Sequence, residues 1–375
     1  MSIRKLLVVG GGISGLTAAA AFGRRGVSVD LVEIRNHIGD LGGIGLSIMG
    51  NASKVLAGIG VADQCVQAGM PADVFTVRTH KGEVIGDVPW PPLGKPDWPN
   101  QIGISRADFH SILAEAARSA GARMTCGVTV ESIEQDAEAA HVTFTDGRIG
   151  DYDLVIGADG LYSKIRSMMF PEAGGPNAVG LSIWRAHVPR PDGITKTQLH
   201  FDGPQPLVGI CPINRQDCYV YCMHPADREE KLDPATLHLQ LREKLAGYGG
   251  LIPELSARLT DPRMVSYRPL EWFLLPAPWF RGRVVVIGDA VHTNPPNIGQ
   301  GAAMGMEDAV VLAEETGRPG SLDDALQRFM ERRFERSKLV VETSCNIARA
   351  QAENDEDYDA GSEVRRASAA LAEPY

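Results

Sequence analysis

The chain has 375 residues, 44% of them hydrophobic and 22% charged, with a formal net charge of -10. That length and balance predict two or three domains around a sizeable core. An acidic surface repels nucleic-acid phosphate and anionic membrane, which argues against both as partners and for a small-molecule substrate.

Six cysteines, Cys65, Cys126, Cys211, Cys218, Cys222 and Cys345, are scattered without a CxxC pair or zinc-ligand spacing. They are expected to be reduced, buried thiols of a cytoplasmic protein with no metal site. No stretch reaches the roughly 18 unbroken apolar residues of a membrane span.

Leu6 to Val9 is an apolar run stopped by glycines, the pattern of a strand buried on both faces of a parallel sheet. Residues 13–24 predict a helix ended by Arg25 and Gly26, and residues 27–33 the next strand. Residues 86–99 hold five prolines and suit neither a central strand nor a helix. Arg106 to Ala120 predicts a helix, residues 122–149 antiparallel strands, and 154–157 a second short buried strand. From about 179 to 268 short strand candidates are split by turn residues, with a helical pair near 234–258. A buried strand returns at 283–289, followed by helices at 301–316 and 322–352, and 353–375 is expected to be a tail opening on a solvated charge run. The expected architecture is α/β. A discontinuous nucleotide-binding domain takes 1–72, 100–178 and 268–352, with a mixed or parallel sheet and long C-terminal helices. A substrate domain on an antiparallel sheet takes 73–99 and 179–267.

Three motifs carry chemistry. Gly10-Gly11-Gly12-Ile13-Ser14-Gly15 lies between a predicted strand and a predicted helix, so its glycines permit a tight turn, close pyrophosphate approach and helix–strand packing. Glu33 ends the following strand, where a carboxylate accepts hydrogen bonds from ribose hydroxyls. The second motif is Gly157-Ala158-Asp159-Gly160, continuing to Ser163 and Arg166. The third runs from Gly288-Asp289-Ala290-Val291-His292 through Pro296-Asn297-Ile298-Gly299-Gln300-Gly301 to Glu307-Asp308-Ala309. Each puts a carboxylate just past a buried strand, suited to sugar hydroxyls, with glycines that let a flat ring approach the backbone.

Together, in this order, the three motifs resemble the group A flavoprotein monooxygenases, those with the p-hydroxybenzoate hydroxylase-like fold and with salicylate, urate and 6-hydroxynicotinate hydroxylases among them. Gly43-Ile44-Gly45 with Asn51, and Ser105-Arg106-Ala107-Asp108-Phe109, extend the resemblance, which covers residues 1 to about 345. It implies a Rossmann-like FAD-binding domain in which Gly10, Gly12, Ser14, Gly15, Glu33 and Arg35 hold the ADP half. Gly45 and Arg106 would lie along the cofactor, and Asp159 in a segment serving both FAD and NAD(P)H. Asp289 would meet the ribityl and pyrophosphate region, and Pro296, Gly299 and Gly301 would border the flavin ring. The implied reaction takes electrons from NADH or NADPH and one oxygen atom from O2, through a flavin C4a-hydroperoxide, to hydroxylate a small aromatic or heteroaromatic ring. The protein would act as a monomer or homodimer.

The substrate wall is less determined. Alternation puts Tyr219, Tyr221 and Met223 on one face of a strand, and Ile183, Arg185 and His187 on one face of another. Arg185 or the tyrosine pair would orient a substrate hydroxyl or carboxylate, or serve as core and ion-pair residues. His292 has either a chemical role or that of a brace for its loop. Asn297 stands where urate hydroxylase relatives have an acid, so acid–base work there is in question. An alkene epoxidase or isoprenoid reductase is the competing enzyme class, since it shares the fold.

Overall fold

The computed structural model describes residues 3–39, 43–227 and 231–375. Its first sheet grows from the two apolar runs that the sequence marks as buried on both faces. Lys5–Val9 pairs in parallel with Leu154–Gly157 on one side and with Ser28–Glu33 on the other. Val284–Val286 extends the sheet beyond Leu154–Gly157, and Phe280–Arg281 closes that edge as its one antiparallel strand. Leu6, Leu7, Val8, Leu154, Val155 and Val284 to Val286 are sealed from solvent, as burial on both faces requires.

The opposite edge corrects the sequence reading. Arg123–Cys126 was expected among antiparallel strands, yet it pairs in parallel with Ser28–Glu33. The helix Arg106–Ser119 precedes it and carries the chain back across the sheet, the connection a parallel neighbour needs. Within that stretch, antiparallel pairing starts at Val130, in a meander of Val130–Gln135, Ala140–Phe144 and Ile149–Tyr152.

The second sheet has seven strands in the order Val265–Trp272, Asn177–Pro189, Asp217–Pro225, Leu207–Pro212, Gln198–Phe201, Val74–Thr79 and Val84–Pro89. It is antiparallel except where Gln198–Phe201 meets Val74–Thr79 in parallel. The proline-rich stretch enters it only as the edge strand Val84–Pro89, where missing N–H donors matter least. Strand alternation gives the sheet two unlike faces. Trp184, Val188, Val220 and Cys222 pack under the helices Leu237–Lys244 and Ile252–Ala257, whereas Ile183, Tyr219, Tyr221 and Met223 face the first unit.

Two helices follow the last motif. Gly301–Thr316 packs on Ile13–Gly23, and Leu322–Glu353, the long helix, packs on Gly301–Thr316 and reaches the second sheet through Ala348. The charge run at 353–357 is exposed, but residues 353–375 do not form a tail throughout. Ala360–Ala372 is a helix that buries Ala367 and Leu371 against the rest of the chain. Among the described residues no helix is long and apolar enough to cross a membrane.

Candidate functional site

The first strand ends at Gly10, whose φ of 107° and contact with the backbone of Ala158 and Asp159 leave no room for a side chain. A β-carbon on Gly15 would collide with the carbonyl of Gly10, so the third glycine sets the helix against the turn. Gly12, by contrast, faces open space within 4 Å. The helix Ile13–Gly23 starts there with no side-chain cap and no acidic residue in its first turn, so its first N–H groups point to that opening. Glu33 is buried nearby, with Oε2 accepting from Gly11 N–H at 2.7 Å and Oε1 from Arg35 N–H at 2.9 Å. Those bonds fix the carboxylate and leave lone pairs for ribose hydroxyls. Ser14 is used differently from a ligand contact: its hydroxyl sits in the slot that Gly288 and Gly305 leave by having no side chain.

Sequence reasoning missed a support for this turn. His110 Nε2 lies 2.6 Å from the Gly11 carbonyl oxygen. Burial lowers the pKa of His110, so the neutral ring donates Nε2–H to that carbonyl. The signal was present in the spacing, since His110 lies one helical turn past Arg106 on the same face.

The other two motifs divide their labour. Asp159 spends its carboxylate inside the chain, on Ser163 Oγ at 2.5 Å and on the N–H groups of Lys164 at 2.7 Å and Ile165 at 3.1 Å. It therefore caps the helix Lys164–Met169, and burial raises its pKa. Asp289 is exposed and its carboxylate has no partner among the described residues. Arg106 lies within electrostatic reach of Asp289 and holds a buried Nε that has no hydrogen-bond partner among the described residues. A helix N-terminus facing open space, a guanidinium with an unbonded Nε and an exposed carboxylate are the kinds of donor and acceptor that a dinucleotide needs. Gly299, in the left-handed region at φ 68°, comes close to Met49, where an added β-carbon would be 3.3 Å from Sδ. Pro296 opens the short turn Pro296–Ile298, and Gly301 begins the following helix.

Two residues set down for chemistry are held by the scaffold. His292 is 1% exposed, lies with its ring 5.3 Å from that of Trp279 at a tilt of 48°, and bonds through Nε2 to Asp308 Oδ2 at 2.6 Å. Of its two expected roles, the geometry supports the brace. Asn297 donates Nδ2–H to Gln351 Oε1 of the long helix at 2.7 Å, while its own Oδ1 is buried without a partner.

The inner face of the second sheet supplies the remaining wall. Arg185 and Tyr221 stand directly opposite each other across two strands, and the rings of Tyr221 and Tyr219 are 5.7 Å apart. Tyr219 packs on Gly45, Cys211 and Ile213, so the absent side chain of Gly45 makes room for the tyrosine ring. No hydrogen bond or ion pair reaches Arg185 among the described residues. Burial pushes both tyrosine pKa values up and lowers that of Arg185. Arg268, also missed from sequence, stands on the neighbouring edge strand opposite Ile183, on the Arg185 face, and it too lacks a partner among the described residues. Burial first, and then the like charge of Arg268, lower the pKa values of Arg106 and Arg185, and Arg106 adds to the effect on Arg185. Among the described residues no group of three or more His, Cys, Asp or Glu side chains is placed to hold a metal.

Residues 4–341 match the family model described as FAD binding domain. The 2-heptyl-3-hydroxy-4(1H)-quinolone synthase of Pseudomonas aeruginosa is 31% identical over 310 residues, 82% of this chain and 79% of the relative. The FAD-dependent urate hydroxylase of Klebsiella pneumoniae is 28% identical, covering 90% of this chain and 88% of its own. The crystal structure of Klebsiella pneumoniae HpxO complexed with FAD and uric acid superposes with a TM-score of 0.83 at 25% identity, over 99% of this chain and 93% of that one. With the glycine turn, the unmatched Asp289 and Arg106, and this kinship in view, the chain belongs to the FAD-binding-domain family and is an FAD-dependent monooxygenase.

Proposed function

We propose that the protein hydroxylates a small aromatic or heteroaromatic ring bearing an ionisable hydroxyl or carboxylate, with NADH or NADPH as electron donor and O2 as the source of the inserted atom. The carrying observation is Arg185, a largely buried cation without an anionic partner, facing two tyrosines that burial keeps protonated. A guanidinium and two phenol O–H groups make a wall that can donate, matched to a ligand that accepts. Hydrogen bonds donated to a ring oxygen favour its anionic form, and an anionic oxygen enriches the ring carbons beside it. Bound FAD would supply the redox chemistry and oxygen activation. The chain's own part is to hold the ring still, keep its oxygen ionised and keep water out. Ile213 and Ile44, packed around Tyr219, give this end of the site its dry lining. Relatives named for a quinolone and for urate suit a flat, nitrogen-containing ring with ionisable oxygens.

The test is aerobic NADH and NADPH oxidation with a panel of phenolic acids, hydroxypyridines, quinolones and purines, reading product mass. For the compound that both accelerates oxidation and gains one oxygen, Arg185→Met is expected to raise KM roughly ten- to a hundredfold, the loss of a charge-assisted hydrogen bond of about 1.5–3 kcal/mol. An unchanged KM would remove Arg185 from the substrate wall. Failure of every ring compound would overturn the substrate class.

A further inference from the structure

Glu307 and Asp308 close the third motif, yet both are sealed from solvent and cannot reach an open groove. Arg333 of the long helix is equally buried and bonds to both, from Nη1 to Glu307 Oε2 at 2.6 Å and from Nε to Asp308 Oδ1 at 2.8 Å. Apolar side chains would join two helices at less cost, because removing charges from water is expensive even when they are paired. A buried charge network specifies geometry, since each bond has a fixed direction and length.

The bonds leaving this network go to the third-motif segment at Asp289, to the strand Gly45–Met49 and to the C-terminal helix. Asp308 Oδ2 accepts from the N–H of Gly288, immediately before the short helix Asp289–His292, at 2.9 Å, and from Nε2 of His292 at that helix's end. Burial would raise the pKa of Asp308, but His292 and Arg333 hold it at about 2, so the acceptor stays charged. Glu307 Oε1 accepts from Asn51 Nδ2 at 2.8 Å, just past the strand Gly45–Met49 whose last residue touches Gly299. Arg336 completes the network. Its Nε bonds to Glu307 Oε2 at 2.8 Å, and its terminal nitrogens take the carbonyls of Leu371 at 2.9 Å and of Ala370 and Glu373 at 3.2 Å. Those carbonyls belong to the C-terminal end of the helix Ala360–Ala372, where a cation satisfies free acceptors.

We propose that Glu307 and Asp308 are positioning residues for the flavin, acting through the Asp289 and Gly45–Met49 segments they hold, and that Arg336 makes the C-terminal helix part of the same apparatus. One turn of the helix Gly301–Thr316 thus fixes two walls of the cofactor site from behind, and the end of the chain fixes that turn.

The experiment titrates FAD into apoprotein of wild type, Asp308→Asn and Arg336→Met. It reads flavin fluorescence quenching, the shape of the bound flavin's visible band, and the apoprotein's thermal midpoint. Both variants are expected to bind FAD more weakly, on the order of tenfold for Asp308→Asn, with an altered band shape. Lower thermal midpoints with wild-type FAD affinity and band shape would make the network a stability device only and overturn the proposal. Should Asp308→Asn fail to fold, Arg336→Met at the rim of the network decides by the same two readouts, and wild-type values there overturn it. Recovery of affinity in Arg336→Lys, which restores a cation facing Glu307, supports it.

Discussion

The ring of Tyr221 occupies the space that a side chain on Gly209 of the neighbouring strand would need. Gly209→Ala therefore has to turn that ring, an overpacking cost of about 1–3 kcal/mol. The expected result is folded, flavin-loaded protein whose KM for its ring substrate rises about tenfold and which releases more peroxide per NAD(P)H consumed. Wild-type coupling and KM would show that the tyrosine's position is unimportant. At this scale the sequence was legible where chemistry is local. Gly10, Gly15 and Glu33 could be read from the strand–turn–helix pattern around them, because the turn's sterics need only neighbours in the chain. Arg268 was illegible for the opposite reason. Its place beside Arg185 depends on cross-strand register, and the pairing of those two strands slips between Ala178 and Ser182. The bond from Asn297 to Gln351 was illegible too, because it crosses to the long helix and leaves no mark in either segment.

At the scale of elements, alternation reported strands well and their partners poorly. Arg123–Cys126 reads like the strands that follow it, and only the helix before it decides that it joins the parallel sheet. The helix Ala360–Ala372 was hidden behind the acidic run at 353–357, since its docking rests on Ala367 and Leu371 and on two arginines far back in the chain. The meander carries a testable pH dependence. His141 on its central strand lies between Asp136 at 2.9 Å and Asp151 at 2.8 Å, and hydrogen bonds to these carboxylates raise its pKa to about 8. A pKa above the unfolded value of 6.5 means the contribution is complete below pH 6.5 and is lost as pH rises through 8. His141→Gln should flatten the fall in thermal midpoint across that window, and the effect should be small because the group is exposed and screened. An identical slope in the variant would show that the histidine adds nothing to folding.

At the scale of the whole molecule two large sheets dominate, and the first is drawn from distant stretches of chain. Its strands come from residues 5–33, 123–126, 154–157 and 280–286, with five of the second sheet's seven strands, between 177 and 272, inserted before the last of them. The sequence announced that arrangement through its motifs, one at the front, one central and one near the back, each set at the end of a buried strand of that sheet. It did not announce how the two units touch, since Ala348 meets Ile183 and Met223, and Ile44 meets Tyr219, only in the folded state. This late return has a consequence for biosynthesis. When Leu154–Gly157 leaves the ribosome its outer edge is bare and wholly apolar, and the strand that covers it is not yet made. At ordinary elongation rates the gap is on the order of ten seconds, long enough for collisions between nascent chains. A fragment stopping before residue 280 should accordingly aggregate and fail to quench flavin fluorescence, whereas a soluble, flavin-binding fragment would show that the exposed edge finds another cover. The cell has to guard that edge until the last third of the protein arrives.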